Sequence, residues 1–356
     1  MKPIIPVFDG HNDTLTKYFN IDPEGETFLS GNASCRLDLP RAKQGGFAGG
    51  LFAVFTDPPK GLAERDITWG SKQTAEGYVS PLRSTVDQAY AASFSDKVID
   101  YLRRLELKSA GQMKVATSIE ELEQAWSAGV LAVILHFEGA EAIREDLYNL
   151  SAYYEKGLRS IGITWSRPNV FGCGVPFGCP LSPDQGPRLS QAGSELVRAC
   201  NAMGILVDLA HLNAKGFSDV ERFSNKPLVA SHSNAHAICP CSRNLTDWQI
   251  DAIKASDGII GANFEPAFLR PDGKSGAPAT LDMLADHIDY LVKRGGIEHV
   301  GLGSDFDGAD VPEGLEDAAA LPNIWEVLER RGYGHEDLKK IANGNWRRVL
   351  KATLKD

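Results

Sequence analysis

Several features that would mark other protein classes are scarce or missing in this chain of 356 residues. No stretch approaches the roughly 18 consecutive apolar residues of a membrane-spanning helix. The opening Met1-Lys2-Pro3-Ile4-Ile5-Pro6-Val7-Phe8-Asp9 holds only a short apolar run broken by two prolines, too little for a secretory signal. Basic residues are in deficit, with Lys+Arg 37 against Asp+Glu 47 and a formal net charge of −10, which argues against a nucleic-acid partner. Six cysteines (Cys35, Cys173, Cys179, Cys200, Cys239, Cys241) include no CxxC pair, so buried reduced thiols are expected and the cytoplasm is the expected compartment. Neither an internal repeat nor a linker is visible. A composition of 43% hydrophobic and 24% charged residues excludes disorder, collagen-like, low-complexity and coiled-coil chains.

What is present is a rhythm of short apolar runs, each a candidate buried strand: 4–8, 50–55, 131–135, 160–164, 205–209, 228–231, 259–263 and 300–303. Amphipathic segments predict helices over 84–109, 119–127, 146–156, 190–203, 214–223, 247–254, 281–294, 322–331 and 336–354. Length alone suggests two or three domains. Eight continuously apolar strands alternating with helices instead predict an α/β fold, one (β/α)8 TIM barrel over residues 1–356. Two irregular stretches rich in Pro and Gly, about 56–83 and 167–188, follow the second and fourth strands and are expected to wall an active site at the barrel's C-terminal face.

The histidines fit that face. His11, His136, His211 and His232 each stand at or just beyond the end of a predicted strand. His11-Asn12-Asp13 spaces an imidazole and a carboxylate two apart, and in extended chain both point to one side. Glu138 ends the third strand, where a buried carboxylate needs a cation. With His211 and His232, these residues suit a pair of borderline ions of mixed N/O ligation, best matched by Zn2+. Asp305-Phe306-Asp307 follows the eighth strand. A carboxylate there suits a proton shuttle for metal-assisted hydrolysis, but either aspartate alternatively caps a turn, and spacing does not choose.

These residues sit in ordered motifs: Asp9-Gly10-His11-Asn12-Asp13, Phe137-Glu138-Gly139, Asp208-Leu209-Ala210-His211, Ser231-His232-Ser233, Ser242-Arg243-Asn244 and Gly303-Ser304-Asp305-Phe306-Asp307-Gly308. Together they resemble the membrane dipeptidase (renal dipeptidase) family, peptidase family M19, of the amidohydrolase-type metal-dependent barrels. The resemblance implies two Zn2+ per chain, with His11 and Asp13 on one, His211 and His232 on the other, and Glu138 bridging. It implies that Asp305 is the acid/base residue and that Arg243 clamps the free carboxylate of a dipeptide. The implied reaction is hydrolysis of L-Xaa-L-Xaa and L-Xaa-D-Xaa dipeptides by a metal-bridged hydroxide. Two departures bear on the substrate pocket. Trp165 stands where the family commonly has a histidine, and Asn263-Phe264-Glu265 covers a segment in which mammalian members have Tyr. His136 is expected as a supporting residue, His236 as either a substrate-orienting or a plain loop histidine, and Cys239 and Cys241 as packing. No nucleic-acid or membrane partner is expected, with a homodimer left open. The rival readings are another metal-dependent amidohydrolase, acting on lactams or N-acyl-D-amino acids, and a metal-binding protein without catalysis.

Overall fold

All eight apolar runs form strands in the computed structural model, which describes residues 4–57, 70–274 and 277–355. They are β1 (Val7–Asn12), β2 (Phe47–Phe55), β3 (Leu131–Glu138), β4 (Leu158–Gly162), β5 (Leu206–Asp208), β6 (Val229–Ala230), β7 (Ile259–Ala262) and β8 (Val300–Leu302). Each pairs in parallel with the next, and β8 returns to β1 with Leu302 opposite Asp9, closing a (β/α)8 barrel. Parallel neighbours require long crossovers, and the helices that make them cover the outer face. Polar residues start these helices. The side chains of Ser118, Ser190, Asn213 and Thr280 accept the N–H groups of Glu121, Gly193, Gly216 and Met283, satisfying donors that a helix leaves open at its first turn.

The departures from the predicted elements are local. Between β1 and β2 lie three helices that the apolar pattern did not reveal, Thr14–Ile21, Glu26–Ser30 and Leu39–Gly45. They are short, so few turns of periodicity were available to read. A further strand, Met113–Val115, pairs with the lower half of β3 while β4 takes its upper half. The helix expected over 146–156 contracts to Leu150–Glu155, and that expected over 336–354 is interrupted by one widened turn at Lys340–Gly344. Of the first irregular stretch, residues 58–69 lie outside the described residues. Its remainder contributes Lys72–Gln73 and Tyr78–Val79, which pair antiparallel with each other and, through the latter, with Gly178–Cys179 of the second stretch. The two long connections are therefore stitched into one small sheet.

Inside the barrel the period-two alternation builds layers. Phe8, Leu51, Ala132, Ile134, Leu206, Val229 and Ile259 form a floor with Trp346, Val349 and Leu350 of the last helix. Trp346 is fully buried, donates its indole N–H to Leu302 O at 3.0 Å and fills the space beside Gly10 and Gly301, where a Cβ would come within 2.3 and 2.5 Å of its ring. Polar residues of the barrel interior lie above this plug.

Removing the plug should therefore cost far more than trimming the surface. Trp346→Ala is expected to lose about 3–5 kcal/mol in urea unfolding, whereas Leu107→Ala, at a residue 82% exposed, should stay within about 0.5 kcal/mol. Equal shifts in the two unfolding curves would contradict the role given to the floor.

Candidate metal centre and substrate pocket

Strand phase decides which side chains enter the barrel mouth. On β3, Ala132 and Ile134 belong to the floor, so His136 and Glu138 follow them inward at the same period. On β1, Phe8 packs on Trp346 and a Cβ at Gly10 would also meet it, so even-numbered positions face inward there. Continued regularly, that phase would turn His11 and Asp13 outward. The register with β2 runs from Asp9 opposite Gly50 to Asn12 opposite Phe52, three steps against two. This one-residue bulge reverses the phase and brings His11 and Asp13 to the mouth. His211, beyond β5, has φ +67°, a left-handed turn uncommon for a side chain with a Cβ.

All five expected ligands are buried and converge. Glu138 lies at their centre. Its Oε2 is 3.7 Å from His11 Nε2, and its Oε1 is 3.2 Å from His211 Nε2 and 3.8 Å from His232 Nε2. Asp13 Oδ2 is 3.8 Å from His11 Nε2. The ligand atoms thus fall into two sets that share Glu138, His11–Asp13–Glu138 and Glu138–His211–His232, each within 4.8 Å. Burial alone would depress His11, but Glu138, Asp13 and Asp305 outweigh it and raise its pKa to about 10. The carboxylates therefore demand a positive charge at this point. Burial, with help from His11 and Arg243, pushes His211 and His232 well below the ordinary imidazole value, so both are neutral, as metal ligation requires. Neither ring nitrogen of His11 has a hydrogen bond, and Nε2 of His211 faces Nε2 of His232 at 3.1 Å. A donor set of imidazoles and carboxylates in this state fits metal ions.

Above the ligands is a small cavity whose lining includes Phe55, Trp165, Phe177, Glu265, Phe268 and Asp305. Asp305 has φ +59°, accepts Asn263 Nδ2–H at 3.0 Å and shares a cluster with His11 and His232. Burial raises its pKa, opposed chiefly by His11. Asp307 turns elsewhere, accepting Thr14 Oγ1–H at 2.7 Å and the Arg36 N–H at 2.7 Å, so it fixes a loop. Arg243 is buried, and burial lowers its pKa to about 10. Its Nη2 donates to His232 O at 3.1 Å, its Nε has no hydrogen bond, and its guanidinium lies 5.5 Å from the centroid of Phe268. Trp165 stands with its ring 4.8 Å from Phe55, 5.7 Å from Phe177 and 5.9 Å from His211. Burial pushes Glu265 up to about 7 while it accepts the Ala267 and Asp310 N–H groups. His136 lies in the layer below, held to Ser160 Oγ at 2.8 Å, and His236 stands apart with Nε2 3.3 Å from Leu181 O.

Residues 2–355 match the membrane dipeptidase family, peptidase family M19. The chain belongs to this family. A metallopeptidase from Rhodobacter sphaeroides, solved with a phosphinate mimic of the dipeptide L-Ala-D-Ala, is 41% identical and superposes with a TM-score of 0.94 over 99% of this chain and 100% of its own. A second M19 structure, a dipeptidase, is also 41% identical, with a TM-score of 0.91 over 99% of each chain. A dipeptidase of Claviceps purpurea, tcpJ, is 28% identical over 349 residues, covering 96% of this chain and 76% of its own. The protein is a metal-dependent dipeptidase. Among the described residues no helix is long and apolar enough to cross a membrane.

The supports of the ligands went unassigned in the sequence. Ser166 Oγ lies 2.9 Å from His211 Nδ1, and Ser231 Oγ lies 2.7 Å from His232 Nδ1 while donating to Asp208 Oδ2 at 2.6 Å. Such partners fix the ring orientation and tautomer of a ligating histidine. Asp9 accepts the N–H and hydroxyl of Ser304 at 2.6 and 2.9 Å and Asn12 Nδ2–H at 3.2 Å, binding the loop of Asp305 to the strand of His11. The available signal was a hydroxyl or carboxylate just before each histidine: Asp9, Asp208 and Ser231. On this geometry Ser231→Ala should weaken the protein's metal binding by about 10- to 100-fold in chelator competition. Undiminished affinity would remove Ser231 from the support of the site.

Proposed function

We propose that this dipeptidase works with two zinc ions, one held by His11 and Asp13, the other by His211 and His232, with Glu138 bridging. The observation that carries the reading is the division of Glu138, whose Oε2 faces His11 while Oε1 faces His211 and His232. Mixed imidazole and carboxylate donors favour zinc among common hydrolytic ions. When bound, the zinc pair supplies a water made acidic near neutral pH and Lewis-acid polarisation of the scissile carbonyl.

The chain's own groups then position and move protons. Asp305 accepts the proton that water gives up on adding to the carbonyl and delivers it to the leaving amine; its burial-raised pKa and its place beside His11 support this. Arg243 receives the dipeptide's free carboxylate, a charge that its buried guanidinium otherwise lacks within hydrogen-bonding reach of Nε. Trp165 forms an apolar wall with Phe55 and Phe177 and offers no imidazole to the substrate. The L-Ala-D-Ala mimic bound by the Rhodobacter sphaeroides relative supports L-Xaa-D-Xaa dipeptides as substrates. Residues 1–356 are read as one barrel domain, with 56–83 and 167–188 as its active-site loops. Six unpaired cysteines are compatible with a cytoplasmic enzyme.

Asp305→Asn is expected to retain both ions and substrate affinity while kcat falls by about 10²- to 10⁴-fold; an unchanged kcat would move the proton shuttle elsewhere. For Arg243 the check is a double cycle. Amidating the substrate's carboxylate should cost about 2–5 kcal/mol in kcat/KM, and Arg243→Ala should cost similarly with the free dipeptide yet little with the amide. Equal turnover of free and amidated dipeptides by the unmodified enzyme would refute the clamp and favour a broader amidohydrolase.

A further inference from the structure

A second cluster of soft ligands lies outside this machinery. Cys179, on the strand Gly178–Cys179, meets Cys239 and Cys241 from the turn that precedes Arg243. The three sulfurs lie within 4.8 Å of one another, and the Sγ atoms of Cys239 and Cys241 are 3.3 Å apart. All three cysteines are buried and none is in a disulfide. Their apolar shell includes Tyr78, Phe177, Ala267 and Phe268, and the Ala267 carbonyl accepts from Cys239 and Cys241 at 3.4 Å each.

Packing accounts for a buried cysteine against carbon, where it behaves as a small hydrophobe. It gives no reason for three sulfurs from two separate loops to face one another. The enclosure is also specific. Gly273 has φ +59°, and a Cβ there would come within 2.2 Å of Cys179 Sγ and 2.9 Å of Cys241 Sγ, so only glycine closes the space against the trio. The neighbouring Cys239 and Cys241 thiols push Cys179 below the ordinary thiol range.

We propose that Cys179, Cys239 and Cys241 form a three-sulfur site for one soft cation, with Cu(I) as the ion it fits best. Thiolates select soft ions such as Cu(I), whereas structural zinc takes four ligands. Among the described residues no fourth His, Cys, Asp or Glu joins this cluster. Binding involves no electron transfer: Cu(I) enters as a monovalent ion, forms bonds to sulfur and displaces at most the protons of Cys239 and Cys241. The site also adjoins the clamp. Ser242, between Cys241 and Arg243, donates its N–H to Gly178 O at 3.1 Å, so the segment that carries Arg243 is tied to the strand of Cys179 and the proposed ion would act on it through that tie.

The test is an anaerobic titration of the zinc-loaded enzyme with Cu(I) against a chromophoric Cu(I) chelator. One Cu(I) per chain is expected, with zinc retained and X-ray absorption showing sulfur and no nitrogen around copper. Cys241→Ser and, separately, Cys179→Ser should each weaken binding at least about 100-fold while keeping zinc and basal dipeptidase activity, which reports a folded protein. A Cys35→Ser/Cys200→Ser variant, at two other buried cysteines, should bind copper as the unmodified enzyme does. Copper binding undiminished in both Cys179→Ser and Cys241→Ser, copper displacing zinc, or nitrogen scattering around copper would overturn the assignment. Copper should also raise KM for a free dipeptide in the unmodified enzyme and not in Cys241→Ser; an unchanged KM would overturn the link to Arg243.

Discussion

Three carboxylates buried at one pole of a barrel set the terms for the rest of the molecule. Asp13, Glu138 and Asp305 meet around His11 in a region shielded from water, and like charges so placed require a compensating cation. Without metal the compensation falls on His11, held protonated to a pKa of about 10. Metal relieves that arrangement by replacing a proton with greater charge, which makes the pole a metal centre and only incidentally a place where histidines gather. The energetic demand of the carboxylates and the chemistry of hydrolysis thus coincide in the same few residues.

Holding those charges together requires rigidity below and around them. The Trp346 floor fixes the strand ends from beneath, and the Asp9–Ser304 hydrogen bonds tie the first strand to the eighth at the height of the site. The chain Asp208–Ser231–His232 extends the same logic sideways, so the His232 imidazole is oriented by a hydroxyl that is itself oriented by a carboxylate. Left-handed backbone at His211, Asp305 and Asp307 is a local cost, on the order of 1 kcal/mol or more each, that this surrounding framework absorbs. Strain concentrates where side chains must be aimed.

The pocket differs in character from the centre beneath it. Trp165 and Glu265 occupy its wall, one apolar and one acid raised to about 7 by burial. His11 and Glu138 face the mouth through the register of their strands. Trp165 and Glu265 sit on connections, and the small sheet joining residues 72–79 to 178–179 brings two connections together.

The barrel and the family motifs were legible in the sequence because a continuously apolar strand followed by an amphipathic helix leaves a period that needs no knowledge of neighbours, and the motifs keep their order along the chain. Metal-ligating residue types at strand ends are equally visible. Three things depended on neighbours. The bulge that turns His11 and Asp13 inward exists only in the pairing of β1 with β2, since a strand read alone has no register. The separation of Asp305 from Asp307 rests on Thr14 and the Arg36 backbone, residues nearly the whole chain away, which capture one carboxylate and leave the other to the mouth. The meeting of Cys179 with Cys239 and Cys241 required two loops to close around Gly273. Periodicity is a property of the chain, whereas register, hydrogen-bond capture and loop closure are properties of pairs brought together by folding.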